Sequence, residues 1–290
     1  MENNATFIGF GEAAQAFCGT QKGVAAWKAG SCSAFDLKTQ NTVTASQKWN
    51  EYSTHGIQGT NSLEEALGCS QNIFSLVTAD QALISARNAS AFLKPGALYF
   101  DMNSVAPATK ISAAKLIEAS GGRYVDVAVM APVYPARLCV PLLVSGPHSN
   151  EATNALHRTG FTNIKQSGSE IGRASSIKMI RSVMIKGIEA LTAECVFAAE
   201  KAGVLPEVLS ALGEEWAEKA NYNFDRMMVH GARRAAEMRE VCKTLENLGV
   251  EPLLSIGTVQ RQDSIGKFGL ISPLQGLENK LTQITNVKAG

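Results

Sequence analysis

Lys178 stands in the stretch GRASSIKMIRS, residues 172–182, among Ala, Ser, Ile and Met. An amine in such company is either a snorkelling surface residue or a group that moves protons. Helical spacing puts Lys178 on one face with Ser175, Arg181 and Ser182, and turns Ile177, Ile180 and Met184 elsewhere. A solvated charged face would alternate acids with bases, yet no acid occurs between Glu170 and Glu189. The pattern suits an amine that moves protons. A free lysine, with a pKa of about 10.4, is a poor base near neutrality. The role therefore calls for burial and neighbouring positive charge, such as Arg181, to lower it.

The N-terminus offers a place for a dinucleotide. Gly9-Phe10-Gly11-Glu12-Ala13-Ala14 fits G-x-G-x-x-[GA], between an apolar run and a helix-compatible segment. Gly9 permits the tight turn, Gly11 lets a pyrophosphate approach the backbone, and Ala14 keeps helix and strand close. The helix N-terminus then presents N–H groups and a positive dipole to the phosphates. Asp36 ends the next apolar run and is suited to accept hydrogen bonds from the adenosine ribose, which favours NAD over NADP. Its other reading is a solvated strand-end acid. The spacing from Ala14 to Asp36 slightly exceeds the usual value of about 20 residues, and Lys38 nearby could tolerate a phosphate, so NADP stays open.

These residues need elements to hold them. Short runs with β-branched or aromatic residues lie at 5–11, 31–37, 72–78, 97–104, 123–130 and 141–146. Helical candidates stand at 12–30, 62–68, 79–94 and 106–121, the third stopped by Pro95-Gly96. Such alternation predicts an α/β fold with a mostly parallel sheet covered by helices. Beyond residue 167 little reads as strand. Pro206, residues 221–223, residues 249–252 and Ser272-Pro273 divide that remainder into helices. The expected organisation is a Rossmann-type dinucleotide-binding domain over 1–167 and an all-helical domain over 168–290.

The 290 residues are 45% hydrophobic and 18% charged, ample for a core and without the composition of disorder. A net charge of +1 gives no electrostatic case for nucleic acid or an anionic membrane. Six cysteines lie far apart with no Cys-x-x-Cys and no His cluster, which reads as scattered reduced core thiols and no metal site. With no signal-like opening and no apolar run of membrane-spanning length, a cytoplasmic protein is expected.

Four segments together resemble the β-hydroxyacid dehydrogenases, the superfamily of 3-hydroxyisobutyrate and 6-phosphogluconate dehydrogenases, over nearly the whole chain. FIGFGEAA at 7–14 matches the dinucleotide fingerprint. DMNSVAP at 101–107 resembles the D-x-[SG]-[STN]-x-x-P segment beside nicotinamide and substrate. DVAVMAP at 126–132, followed by PLLVSG, sits where the family carries D-A-P-V-S-G-G. GRASSIKMIRS matches G-x-G-x-x-x-K-x-x-[NH]-N, the start of an interdomain helix bearing the catalytic lysine. The resemblance implies a helical second domain often used for dimerisation, a substrate cleft between the domains, and Lys178 as general acid/base.

The departures fall on the substrate side. Met130, Ala131 and Pro132 replace the Ser-Gly-Gly that holds a substrate carboxylate, and Pro132 has no N–H to donate. The second glycine of the lysine motif is Ala174, and Arg181 and Ser182 stand where the family has [NH]-N. A later family lysine has no counterpart at Ala236-Glu237-Met238. The expected outcome is a divergent branch that keeps the hydride chemistry and rebuilds the pocket, with Met130, Ala131, Pro132 and Tyr134 walling a bulkier or more apolar substrate.

Other candidates carry two readings each. Asn103 and Ser104 follow a strand end and suit contacts to nicotinamide or the substrate hydroxyl, or capping of the next helix. Thr78 is a cofactor contact or a helix cap. Ser182 substitutes for the asparagine or bonds its own helix backbone. His230, Arg233 and Arg234 supply charge for a carboxylate, or are solvated partners of Glu237 and Glu240. Tyr222, Phe224 and Met227 line a cleft or pack the core. The leading reading is an NAD(P)-dependent dehydrogenase or reductase acting on CH–OH, working as a homodimer on a small hydroxyacid-like molecule. An imine reductase shares the architecture, but the lysine position is commonly replaced there, so Lys178 argues against it. A non-catalytic dinucleotide sensor is favoured by the lost Ser-Gly-Gly and opposed by the lysine.

Overall fold

A computed structural model describes residues 5–19, 32–68, 70–270 and 273–289. The short apolar runs become strands β1 (Ala5–Ile8), β2 (Cys32–Phe35), β3 (Gln58–Gly59), β4 (Asn72–Ser75), β5 (Leu98–Asp101), β6 (Arg123–Val129), β7 (Leu142–Ser145) and β8 (Ile164–Gly168). They form one eight-stranded sheet in the order β3-β2-β1-β4-β5-β6-β7-β8. The pairs from β3 to β6 are parallel, as the β/α alternation predicts. β7 runs antiparallel to β6, and β8 follows β7. Parallel strands buried on both faces read as near-continuous apolar runs; Phe7, Phe74 and Phe100 stack on one another inside. The edge strands β3 and β8 are short or polar and carry no such signal.

The helices are α1 (Glu12–Cys18), α2 (Ala45–Thr54), α3 (Leu63–Leu67), α4 (Ala82–Ser90), α5 (Pro107–Ala119), α6 (Ser149–Arg158), α7 (Arg173–Ala202), α8 (Leu205–Leu212), α9 (Trp216–Asn247), α10 (Leu253–Gly266) and α11 (Leu277–Ala289). Of the helix expected over 12–30, residues 20–30 lie outside the described ones. Everything after β8 is helical, apart from turns, among the described residues. The chain divides into two compact units, Met1–Lys178 and Met179–Gly290.

One expected break is absent. Residues 221–223 do not end a helix; α9 runs through them. Their polar groups are engaged elsewhere, which removes the competition that disfavours Asn in helices. Asn223 donates to Thr192 Oγ1 at 3.0 Å, and Asn221 Oδ1 accepts from buried Lys280 at 2.5 Å. Phe224 and Met227 are core residues, whereas Tyr222 is exposed. In the same unit α9 and α10 touch backbone to backbone: a Cβ on Gly231 would lie 2.4 Å from Gln262 O. The described cysteines are all free, and Cys139 is exposed, so it is not a core thiol.

Candidate active site

One row of cross-strand partners sets the site. Phe35, Ile8, Ser75, Asp101, Asp126, Ser145 and Gly168 lie side by side across seven strands. From β2 to β5 this row is the last residue of each strand, so the connecting loops leave the sheet just past it. Ligands of open α/β sheets bind at such carboxyl ends.

The glycine loop follows Ile8. Gly9 has φ of +83°, and a Cβ there would meet Leu76 O at 2.5 Å, so only glycine fits the turn. A Cβ on Gly11 would meet nothing within 4 Å, leaving open the approach a pyrophosphate requires. Glu12 and Ala13 open α1, and Ala14 is fully buried beneath. The loop is braced from two sides. Phe10 N–H donates to Asp36 Oδ2 at 2.8 Å, and buried Lys48 donates to Phe10 O at 2.7 Å while pairing with Glu51. Asp36 Oδ1 also accepts Lys38 N–H at 2.9 Å. A groove of about 290 Å³ runs from Gly9 and Gly11 past Asp36 and Lys38, walled by Ile8, Leu63, Val77 and Ile84. Glycines at one end, apolar walls and a carboxylate fit a dinucleotide's phosphates, adenine and ribose. Thr78 is exposed in that wall and makes no capping bond to the short turn it precedes.

Past the middle of the row, Lys178 Nζ donates to Ser104 Oγ at 2.5 Å. Sequence spacing joined these residues only through the family resemblance; the fold joins them across 74 positions. Ser104 does not cap α5, whose N-cap is Ala106 with Pro107 following. Asn103 is buried, and its amide is engaged by the protein. Its Oδ1 accepts Val77 N–H at 2.7 Å, and its Nδ2 donates to Ser75 Oγ at 3.0 Å and Asp101 Oδ1 at 2.8 Å. It thus ties the 76–78 loop to the 102–104 loop. Met130, Ala131 and Pro132 follow β6 at the same edge, Ala131 and Pro132 exposed and Met130 N–H donating to Pro141 O at 2.8 Å. Tyr134 is exposed, with the Arg137 guanidinium 5.7 Å from its ring centre.

Beneath lies a polar cluster that sequence reasoning did not assign. Lys110 is 0% exposed and reaches Asp101 Oδ1 at 2.9 Å and Asp126 Oδ1 at 3.4 Å. Tyr124 donates to Asp101 Oδ2 at 2.7 Å. Burial pushes this phenol well above its ordinary pKa, with Asp101 and Asp126 adding to the effect, so it stays a donor. Asp126 in turn accepts from Gly172 N–H and Ser175 N–H, both at 3.1 Å, and from the Ser175 hydroxyl at 2.6 Å. The available signal was the repeated Tyr-x-Asp in two neighbouring apolar runs, Tyr99-Phe100-Asp101 and Tyr124-Val125-Asp126.

In the second unit Arg181 is exposed, Ser182 buried and His230 half-buried. Arg234 fits neither of its readings. It is 7% exposed, and its guanidinium holds Glu189, with Nε donating to Oε2 at 3.1 Å. Glu237 pairs with Lys186 at 2.6 Å and Glu240 with Lys243 at 2.6 Å, so neither acid is Arg234's partner. No described helix is long and apolar enough to cross a membrane.

Comparison with known proteins agrees with this fold. Residues 28–160 match the NAD binding domain of 6-phosphogluconate dehydrogenase, and residues 199–265 match a domain of unknown function, DUF1932. A conserved hypothetical protein from Sinorhizobium meliloti 1021 is 33% identical, with 99% of this chain and 97% of that chain covered and a TM-score of 0.71. A conserved protein of unknown function, described as structurally similar to 3-hydroxyacid dehydrogenases, is 30% identical over 91% of this chain and 97% of its own, with a TM-score of 0.66. Mycobacterium tuberculosis 3-hydroxyisobutyrate dehydrogenase shares the fold at 17% identity, with 99% and 100% covered and a TM-score of 0.68. With its glycine loop, its 6-phosphogluconate-dehydrogenase-type NAD-binding domain and its relatives at a third identity, the chain belongs to the β-hydroxyacid dehydrogenase superfamily, beside conserved proteins of unknown function.

Proposed function

We propose that this protein is an NAD(P)-dependent oxidoreductase that transfers hydride between nicotinamide and the carbinol carbon of a β-hydroxyacid-like substrate, with Lys178 as general acid/base. The observation that carries the reading is the 2.5 Å contact between Lys178 Nζ and Ser104 Oγ at the carboxyl end of a dinucleotide-binding sheet. The nicotinamide supplies the hydride chemistry when bound. The chain's own part is to hold a proton at Lys178 Nζ and to present the Ser104 hydroxyl as a second hydrogen-bonding group for the reacting oxygen. Such proton transfer contributes roughly 10²- to 10⁴-fold. Asp36, braced by two backbone N–H groups, is placed to accept from ribose hydroxyls, which supports NAD as the preferred carrier. The apolar Met130-Ala131-Pro132 segment supports a substrate bulkier or less polar than a small hydroxyacid.

A homodimer belongs to the same proposal. In the second unit Met184, Ile188 and Leu191 of α7 and Leu253 and Leu254 of α10 are exposed around a groove of about 630 Å³. The charges lining that groove, Glu194 and Arg261, lie 3.7 Å apart and answer each other. Exposed apolar area of this kind supports burial against a second copy. Sedimentation of the wild type and of Leu191→Asp checks it: a monomer in both would end the dimer proposal.

The decisive test of the chemistry is Lys178→Ala, assayed at the reduced-nicotinamide band with a panel of small and aryl-bearing hydroxyacids and both cofactors. Turnover should fall by about 10²-fold or more, with NAD affinity near wild type. Near-normal turnover in the variant would sink the assignment. Tight NAD binding by the wild type with no turnover on any substrate would favour a dinucleotide sensor instead.

A further inference from the structure

We infer that Asp101, Lys110 and Asp126 form a clamp that positions the Ser104–Lys178 pair, with Asp126 as the positioning residue for the lysine. The inference rests on the proposed role of Lys178 for its effect on turnover, but not for its geometry. The first N–H groups of any helix have no intrahelical partner. α7 starts after Gly172, which has no side chain to cap them, and strand residues supply the acceptors instead. Asp126 on β6 takes Gly172 N–H, Ser175 N–H and the Ser175 hydroxyl; Ser145 on β7 takes Ala174 N–H at 3.0 Å and donates to Asp126 at 3.1 Å. A fully buried carboxylate at the N-terminus of a 30-residue helix is also favoured by the helix dipole. Lys178 lies three residues beyond Ser175, about one turn along. Its amine is therefore placed by the turn that Asp126 holds.

The other end of the pair hangs from the other aspartate. Asp101 accepts Asn103 N–H at 3.0 Å and its Nδ2 at 2.8 Å, fixing the backbone one residue before Ser104. Lys110 joins the two carboxylates, and its Nζ also donates to Asp101 O at 2.6 Å. Without this ammonium, two buried carboxylates in adjacent register would repel. Gly172 adds a steric stop: its φ is +94°, and a Cβ would lie 3.2 Å from Pro107 Cβ. The Ser104–Lys178 contact is thus the meeting point of a loop and a helix start whose roots are one buried ion cluster.

The test reads Lys178 directly. Brief acetic anhydride labelling, quantified on the peptide containing Lys178, is run on wild type and Asp126→Asn together with deuterium uptake over residues 172–176. Labelling of Lys178 should rise about tenfold in Asp126→Asn, the factor implied by one lost hydrogen bond to a charged group. Labelling of exposed Lys165 and Lys219 should stay constant, and deuterium uptake should rise at 172–176. Unchanged labelling and uptake in a folded Asp126→Asn protein overturns the clamp. If that variant does not fold, Ser175→Ala, which removes only the hydroxyl bond, serves in its place, and unchanged labelling there overturns the proposal equally. A normal turnover in Lys178→Ala would end the catalytic reading while leaving the labelling result standing; lost turnover with unchanged labelling would end the clamp alone.

Discussion

Both units bury charged side chains, but they fasten them to different things. In the first unit the buried charges hold backbone at the roots of loops: Asp126 takes two N–H groups at the start of α7, Lys48 takes Phe10 O, and Asp101 takes Asn103 N–H. In the second unit they hold one another between helices. Glu189 on α7 receives Arg234 from α9 and Gln262 from α10, and Lys186 on α7 pairs with Glu237 on α9. Lys280 is an exception, reaching Asn221 O as well as Asp225. A buried charge is tolerated where its partners offset desolvation. When those partners are loop backbone, the charge shapes a site; when they are side chains on neighbouring helices, it sets helix register.

Substitutions can break or sharpen that contrast. The largest effect on stability is expected from Arg234→Met, which leaves Glu189 buried with only Gln262 as donor. The loss should be about 3–5 kcal/mol, read as a lower urea midpoint, with NAD affinity unchanged; a parallel loss of NAD affinity would blur the contrast. Next comes Gly231→Ala, which tests whether backbone contact sets register as firmly as charge does. Its Cβ meets backbone on α10, so overpacking of about 1–3 kcal/mol is expected in thermal melts. Lys48→Met should act the other way round. Its loss leaves Phe10 O with only the Gln15 amide, 3.2 Å away, and should weaken NAD binding about tenfold, in line with a charged hydrogen bond. Stability should change little, because Glu51 retains Gln15 and Gln47 as donors. A large drop in stability with unaltered NAD affinity would place Lys48 with the second unit's charges.

The smallest effect is a pH dependence. Burial lowers the Lys186 pKa below the ordinary lysine value, against the opposing pull of Glu237. The folded chain then binds fewer protons than the unfolded chain in the window below about 10.4. Stability from this group therefore rises with pH through that window, and is least where Lys186 must be charged. Urea midpoints of the wild type should climb relative to Lys186→Met as pH is raised toward that value; a constant difference would exclude Lys186 as the cause.

The central strands and the nucleotide loop were legible because each is written locally. Phe7-Ile8-Gly9-Phe10-Gly11 carries its strand, its turn and its close approach within five positions. The edge strands were not, since Gln58–Gly59 and Ile164–Gly168 pair because of what lies beside them rather than what they contain. The polar helices α2 and α6 hold too few apolar residues to stand out in the sequence, although α6 confines its few to one face. The supports of Lys178 were hidden for a different reason. Asp126 meets Gly172 and Ser175 across 46 and 49 positions, and Lys110 reads in the sequence as an ordinary helix lysine. Only the register of β5 and β6 brings two aspartates to one lysine. Arg234 escaped both of its readings because its partner Glu189 lies 45 positions earlier on another helix.

The direction of one strand decides where the lysine helix begins. A parallel β7 would need a crossover and would run past the polar row to the rim where β6 ends. Instead β7 starts opposite Val129 and travels back until Ser145 lies beside Asp126. With β8 alongside it in the same sense, the chain re-emerges at Gly168, level with the ends of β1, β4 and β5. This U-turn ends the sheet at the level of the polar row, and residues 172–175 dock there on Asp126 and Ser145. A β7 of the opposite sense would leave every motif in the sequence intact, yet it would not carry the chain back from Val129 to the level of Asp126.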